Sequence, residues 1–260
     1  MSSHKLEFSK TELLAVITSR LLEDNKTAFV GIGLPMVAAL LAQLTNSPNL
    51  TIIFEGGLIA PKLKRGMMPL STNEARAGRK ALAFCSITNM FLYQQRGFID
   101  YGLLGAAQID KFGNINTSIL GDYTRPKVRL PGSGGANDIA SSASQVIISV
   151  IHEKRRFVEK VDFITSPGYL SGGNSRYNSG LIFGGPHKVL TDLGMMGFDP
   201  LTKMLRLEAI HERVEIQEVL DNTGFDLPIS PSLQKITPPN KRELKLLREI
   251  DPEKVMLRGG

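Results

Sequence analysis

The stretch Leu50-Thr51-Ile52-Ile53-Phe54-Glu55-Gly56-Gly57-Leu58 fixes the architecture to expect. Residues 50–54 form an apolar run of strand length, which stops at a carboxylate followed by two glycines. Burying a bare charge is costly, so a glutamate ending a core strand must be hydrogen-bonded, paired or set in a cleft. The two glycines let the backbone turn sharply and are expected to leave open space beside the carboxylate. In open α/β sheets ligands sit outside the carboxyl ends of strands. On this stretch alone Glu55 reads as an ordinary loop glutamate capping a turn. The rest of the chain favours the alternative, that Glu55 faces a site.

Just upstream, Ala28-Phe29-Val30 reads as a short strand running into Gly31-Ile32-Gly33-Leu34-Pro35 and an apolar helix over residues 36–44. Proline suits the first helical turn, where its missing N–H would be unsatisfied anyway. A β-α-β unit puts both strand ends on one edge, so the Gly31-x-Gly33 turn and Glu55 are expected to be neighbours. Free amides at that helix start could hold an anion. The full dinucleotide fingerprint is absent, and Gly-x-Gly alone equally fits a plain tight turn.

Outward from this unit, Ser9-Lys10-Thr11-Glu12 has capping-box spacing ahead of a helix with Leu13, Leu14, Ile17, Leu21 and Leu22 on one face. Residues 59–80 read as a long irregular excursion carrying Lys62, Lys64, Arg65, Arg76, Arg79 and Lys80. A strand over 81–84, a helix over 86–96 capped by Gly97, and a strand over 98–104 follow. Gly132-Ser133-Gly134-Gly135-Ala136-Asn137 opens a short helix, and its amides can converge as an oxyanion hole or anion nest. Strands are expected at 145–151, 156–164, around 189–199 and at 204–210, with a long polar loop at 169–186. A short helix follows at 214–220, and Asn240 caps a last helix with Leu244, Leu247 and Ile250 on one face. Alternating strands and helices indicate an α/β fold, an open and mainly parallel sheet with flanking helices and a strand-rich second half. One domain spanning residues 1–260 is expected.

Composition narrows the function. The chain has 260 residues, 42% of them hydrophobic, which is enough for a sizeable core. A single cysteine, Cys85, excludes a disulfide framework, and it reads as buried rather than reactive. The net charge of +6 could address nucleic acid, membrane surface or a polyanionic small ligand. The basic clusters lack interleaved aromatics and the chain has no tryptophan, so they read as solvated surface. Met1-Ser2-Ser3-His4-Lys5 does not open a signal-peptide core, and no apolar run reaches membrane-span length, so a cytoplasmic setting is expected. His152, beside Glu153, reads as partly exposed at a strand end. His187 and His211 show no ligand spacing, so no metal is expected. Tyr123 and Arg125 lie in a polar loop where they could touch substrate.

Several segments together carry a family resemblance: Gly31–Pro35, Ile52–Gly57, Gly105–Asp110, Phe112–Asn116, Gly121–Tyr123, Gly132–Asn137, His152–Phe157, Thr165–Gly168 and Asn222–Asp226. Over nearly its whole length the chain resembles the β subunits of family I CoA-transferases, in particular the glutaconate CoA-transferase kind, with a NagB/RpiA-like fold. The resemblance implies that Glu55 is the catalytic nucleophile. It implies an oxyanion and substrate-binding role for Gly134, Gly135, Ala136 and Asn137, with Gly31 and Gly33 beside the site. It further implies coenzyme A thioesters as substrates, no tightly bound cofactor, and a separately encoded α subunit in a higher αβ oligomer. Where many relatives have Ser-Glu-Asn-Gly at the nucleophile, this chain has Phe54-Glu55-Gly56-Gly57. The basic excursion over 60–80 also differs from the glutaconate enzymes, which leaves the acyl substrate open. The same scaffold also serves CoA-thioester hydrolases that open a ring, and decarboxylases. A non-catalytic binding role, with Glu55 structural, is the remaining alternative.

Overall fold

The computed structural model of the chain describes residues 7–257; residues 1–6, with the amino-terminal segment read above, and 258–260 lie outside them. In chain order the first elements are α1 (Lys10–Leu21), β1 (Thr27–Phe29), α2 (Leu34–Leu44), β2 (Thr51–Phe54) and β3 (Leu58–Ile59). A 3-10 turn at Ala75–Gly78 precedes β4 (Ala83–Phe84) and α3 (Ile87–Gln95). Then come β5 (Tyr101–Leu104), β6 (Gln108–Asp110), β7 (Ile115–Asn116), β8 (Ile119–Gly121), β9 (Pro126–Arg129) and α4 (Ala136–Ser142). The chain continues through β10 (Gln145–Ser149), β11 (Phe157–Val158), α5 (Ser175–Asn178), β12 (Pro186–Leu190), β13 (Gly194–Phe198) and β14 (Leu205–His211). It ends in α6 (Ile216–Asp221), β15 (Ile229–Ile236) and α7 (Lys241–Ile250). Two compact units divide it, residues 1–90 with 237–260 and residues 91–236.

In the first unit the strand order is β1-β2-β3-β4. β1 and β2 are parallel, with Ala28 opposite Ile52 and Phe29 opposite Ile53, and β3 and β4 add antiparallel strands at the edge. The Gly-x-Gly turn and Glu55 therefore leave adjacent parallel strands at the same edge. α1, α2 and α7 pack on one another. The α1 capping box is present: the Ser9 hydroxyl accepts the Glu12 amide at 3.1 Å, and the Glu12 carboxylate accepts the Ser9 amide at 2.8 Å. Asn240 and Glu243 repeat the device at α7, which buries Leu244, Leu247 and Ile250. Each box satisfies donors that a helix start otherwise leaves orphaned.

In the second unit the order is β5-β10-β12-β13-β14-β15. β5, β10 and β12 are parallel, β13 is antiparallel to both neighbours, and β14 and β15 are parallel. The fold is α/β as expected, but the pairing is mixed rather than mainly parallel: β3 and β4 in the first unit and β13 in the second run antiparallel to their neighbours. Smaller sheets, β11-β6-β7 and β8-β9, complete the strand-rich second half. Two strand expectations are corrected. The strand over 156–164 shrinks to Phe157–Val158, because Asp162 instead turns to accept the Gln108 side-chain amide and the Gly121 backbone amide. β15, not anticipated, forms through Ser230-Pro231-Ser232 as an edge strand, the position where proline is tolerated. Among the described residues no helix is long and apolar enough to cross a membrane.

Candidate functional site

Glu55 follows β2 directly and is half-buried. Among the described residues no donor bonds its carboxylate. The glycines after it do not leave open space, contrary to the expectation above. A Cβ at Gly56 would lie 2.0 Å from the Asn73 side-chain oxygen, and one at Gly57 would lie 1.8 Å from the Cys85 carbonyl. Gly57 also has φ +96°. Its carbonyl accepts the Cys85 amide at 2.9 Å and its amide donates to Phe54 at 3.0 Å. The pair of glycines therefore exists for close backbone approach: it lets the 72–73 loop and Cys85 press against the strand end and fix where Glu55 emerges. Cys85 is half-buried rather than buried, and that partial burial pushes its thiol pKa up.

Gly31 does border open space, with nothing within 4 Å of a Cβ placed there. Gly33 caps α2 with φ 85°, and its carbonyl accepts the Met36 and Val37 amides. Pro35 removes one donor from that first turn, so the α2 start offers an anion fewer amides than an ordinary helix does.

In the second unit the glycine-rich segment is built as a presented loop. Gly132 and Gly134 have φ +95° and +50° and face open space. The loop is tied down at both ends: the Gly132 amide donates to Thr117, the Thr117 hydroxyl donates to Gly132, and the Asn137 side-chain amide donates to Thr165. The Ala136 amide is spent on the Ser133 carbonyl at 2.9 Å. The Gly134 and Gly135 amides have no acceptor among the described residues. Of the sequence candidates here, Gly134 and Gly135 present free donors, Ala136 starts α4, and Asn137 positions the loop.

The other motifs make the foundation of this loop. Asn114 donates to both Asp110 oxygens and accepts the Gly168 and Leu170 amides. Asn116 donates to Gln108 and to the Ile119 carbonyl. The Thr165 hydroxyl accepts the Thr117 amide and lies 2.8 Å from the Ser118 hydroxyl. Burial raises the Asp110 pKa, against the opposing pull of Asn114 and the Phe112 and Asn114 amides. Arg176, unremarked in the sequence, is buried and donates to five carbonyls, among them Ala140 and Ser141 of α4 at 2.8 and 3.0 Å. It thereby clamps the helix that carries the glycine loop. A lone arginine in a Gly/Ser/Asn-rich stretch is its only sequence signal.

His152 is corrected from partly exposed to buried. Its ring stacks on Phe157 at 4.1 Å and lies within 3.1 Å of the Thr191 hydroxyl and 3.0 Å of the Thr223 hydroxyl. Burial lowers its pKa to about 4, with Asp192 partly opposing. It is a structural residue. Tyr123 is exposed and stacks on Phe163, and Arg125 is exposed, its amide donating to Asp122. Among the described residues no group of three or more His, Cys, Asp or Glu side chains could hold a metal ion.

Comparison with known proteins identifies the family. The family model for coenzyme A transferase matches residues 11–222. The chain is 39% identical over 253 residues to one of the subunits of 3-oxoadipate CoA-transferase from Pseudomonas knackmussii, covering 97% of this chain and 96% of that protein. It is 36% identical over 258 residues to the corresponding subunit of glutaconate CoA-transferase from Acidaminococcus fermentans, covering 94% of this chain and 93% of that one. The crystal structure of glutaconate coenzyme A-transferase from the same organism superposes with a TM-score of 0.89 at 33% identity, covering 98% of this chain and 99% of that chain. With both units built on this scaffold and the match spanning nearly all of the sequence, the chain belongs to the coenzyme A transferase family.

Proposed function

We propose that residues 1–260 act as the catalytic β subunit of a heteromeric CoA-transferase, moving coenzyme A from a short or dicarboxylic acyl-CoA to an acceptor carboxylic acid. The observation that carries the reading is Glu55: a half-buried carboxylate at the carboxyl end of a parallel core strand, with no partner among the described residues. In the mechanism, a Glu55 oxygen attacks the thioester carbonyl, and the C–S bond breaks to give a mixed anhydride and CoA thiolate. The thiolate attacks the glutamyl carbonyl, releasing the first acid and leaving a CoA thioester on Glu55. A second carboxylate repeats the steps in reverse. Covalent catalysis splits one difficult exchange into easier ones. Each tetrahedral step develops an oxyanion, a task that suits the unengaged amides of Gly134 and Gly135. A separately encoded α subunit completes the enzyme. No tightly bound cofactor is required, because the thioester itself supplies the activation.

The test is intact-mass analysis of the co-purified αβ complex incubated with acyl-CoA candidates. The expected result is a CoA-sized adduct mapped to Glu55 and absent in Glu55→Gln. Steady release of free CoA without any acceptor acid, and no adduct, would instead indicate thioester hydrolysis on the same scaffold. Full activity in Glu55→Gln would make Glu55 structural.

A further inference from the structure

The hairpin of β8 and β9, in the second unit, carries residues that the proposed chemistry leaves unused. Arg125, Lys127 and Arg129 are exposed, and among the described residues no carboxylate pairs with any of them. The other basic cluster of this unit is spent by contrast, since Arg155 and Arg156 both donate to Glu153. Asp122 is the hairpin's own carboxylate, and it is turned onto the tip, accepting the Thr124 and Arg125 amides at 2.7 and 3.3 Å. Lys127 and Arg129 share a face of their strand, because alternate residues do. Gly121, at φ +90°, makes room on that face: a Cβ there would lie 3.3 Å from the Lys127 stem. At the tip Tyr123 stacks on Phe163, with ring centroids 5.3 Å apart and planes 21° from parallel. Asp162 holds that support in place by accepting the Gly121 amide at 2.8 Å and the Gln108 side-chain amide at 3.0 Å. One face of the Tyr123 ring is thus covered, yet the residue is 59% exposed. An aromatic ring held from one side and open on the other takes a nucleobase by stacking, and unpaired cations beside it take phosphates.

The hairpin also stands at a fixed distance from the glycine loop. Its ladder pairs Gly121 with Pro126 near the tip and Ile119 with Arg129 further down. Beyond these pairs the Leu130 amide donates to Ser118 and the Gly132 amide to Thr117, so the strand that carries Lys127 runs directly into Gly134 and Gly135. From Thr117 to Gly121 the ladder spans roughly 14 Å, at ~3.4 Å per residue. The pantetheine arm of coenzyme A has about thirteen bonds between sulfur and phosphorus, as many as about four extended residues, and so reaches about the same distance. On the transferase reading above, the thioester carbonyl lies at the Gly134 and Gly135 amides. We infer, resting on that reading, that the hairpin binds the nucleotide end of the coenzyme A thioester, with adenine on the open face of Tyr123 and phosphates at Arg125 and Lys127. The glycine loop and the hairpin tip then hold the two ends of one extended ligand.

The test is isothermal titration of the co-purified αβ complex with adenosine 3′,5′-bisphosphate, the nucleotide end without pantetheine or thioester. The wild type is expected to bind it. Tyr123→Ala is expected to weaken binding about tenfold through the loss of one base stack. Lys127→Gln is expected to weaken it about fivefold through the loss of one exposed ion pair. Lys235→Gln removes the same charge from an exposed position on β15 and should leave binding unchanged. No binding by the wild type, binding unaltered in Tyr123→Ala and Lys127→Gln, or an equal loss in Lys235→Gln would overturn the inference. Loss of the α subunit from the Tyr123→Ala complex during purification would overturn it too, by making the hairpin a subunit contact. Adduct formation at Glu55 from acyl-CoA is read separately by mass. An adduct in the wild type without nucleotide binding sinks the hairpin site but not the transferase, and nucleotide binding that both variants weaken, with no adduct, does the reverse.

Discussion

His152 offers a prediction whose size can be worked from the surrounding atoms. The Thr191 hydroxyl oxygen accepts the Leu193 and Gly194 amides at 3.2 and 2.9 Å, which uses both of its lone pairs. Its one hydrogen has two acceptors in reach, His152 Nδ1 at 3.1 Å and the Gly194 carbonyl at 3.0 Å. Whichever of these it serves, the oxygen cannot accept from Nδ1, so Nδ1 carries no proton. The Thr223 hydroxyl donates to the Val219 carbonyl, so it accepts from His152 Nε2–H. The fold thus holds one neutral tautomer, and protonating Nδ1 would set an N–H against an oxygen with no lone pair left. Burial acts in the same direction and brings the pKa from 6.5 to about 4. A histidine with a depressed folded pKa stabilises the fold fully above its unfolded pKa, because only the unfolded chain gains the proton as pH falls. That stability is lost progressively between pH 6.5 and about 4 and is flat below. Between about pH 7.5 and about pH 5 the loss is about 2 kcal/mol. Urea denaturation of the wild type and His152→Gln at the two pH values isolates this contribution from other titrating groups. The variant is less stable at the higher pH, and the gap should narrow by about 2 kcal/mol at the lower. An unchanged gap would refute the neutral tautomer and the hydroxyl pattern that dictates it.

Two further outcomes follow from packing. Gly57→Ala forces a side chain onto φ +96° and into the Cys85 carbonyl, and should cost about 3 kcal/mol or more. Gly134→Ala, with φ +50° and no neighbour within 4 Å, should cost about 1 kcal/mol; urea midpoints of both variants check the contrast. Burial alone would raise the Glu12 pKa, but bonds from Arg248 and the Ser9 amide outweigh it and hold it below the ordinary carboxylate range. Arg248→Met leaves that buried carboxylate without its cation and should lower stability by about 1–3 kcal/mol at neutral pH, read by the same denaturation.

What is legible in the sequence is what local chemistry determines. The Ser9–Glu12 and Asn240–Glu243 boxes, the proline at the α2 start and the apolar 50–54 run each express one physical rule within a few residues, and each forms where expected. β15 is not legible, because serine and proline carry no strand signal; it forms by pairing in parallel with β14 across a register shift. The 156–164 segment fails for the opposite reason. Its apolar residues suggest a strand, while Asp162 has tertiary partners that a local pattern does not reveal.

The candidate site divides along the same line. Glu55 is visible because a carboxylate ending an apolar run is anomalous in itself. The meaning of its two glycines is not, since Asn73 and Cys85 lie 17 and 28 positions beyond Gly56 and Gly57 and no local rule connects them. Most motifs that carry the family resemblance turn out to hold chain against chain: Asn114 holds Asp110 and the 168–170 turn, Thr165 holds Thr117, and Thr223 holds His152. Losing one of them is costly, because a buried polar group without its partner costs about 1–3 kcal/mol, whatever the substrate. In the 60–80 excursion Lys62, Lys64, Arg65, Arg76, Arg79 and Lys80 are exposed, while Met68, Thr72 and Ala77 are buried and anchor it. In the first unit the close approach of Asn73 to Gly56 ties that excursion to the strand end from which Glu55 emerges, a contact that only a residue without a Cβ permits.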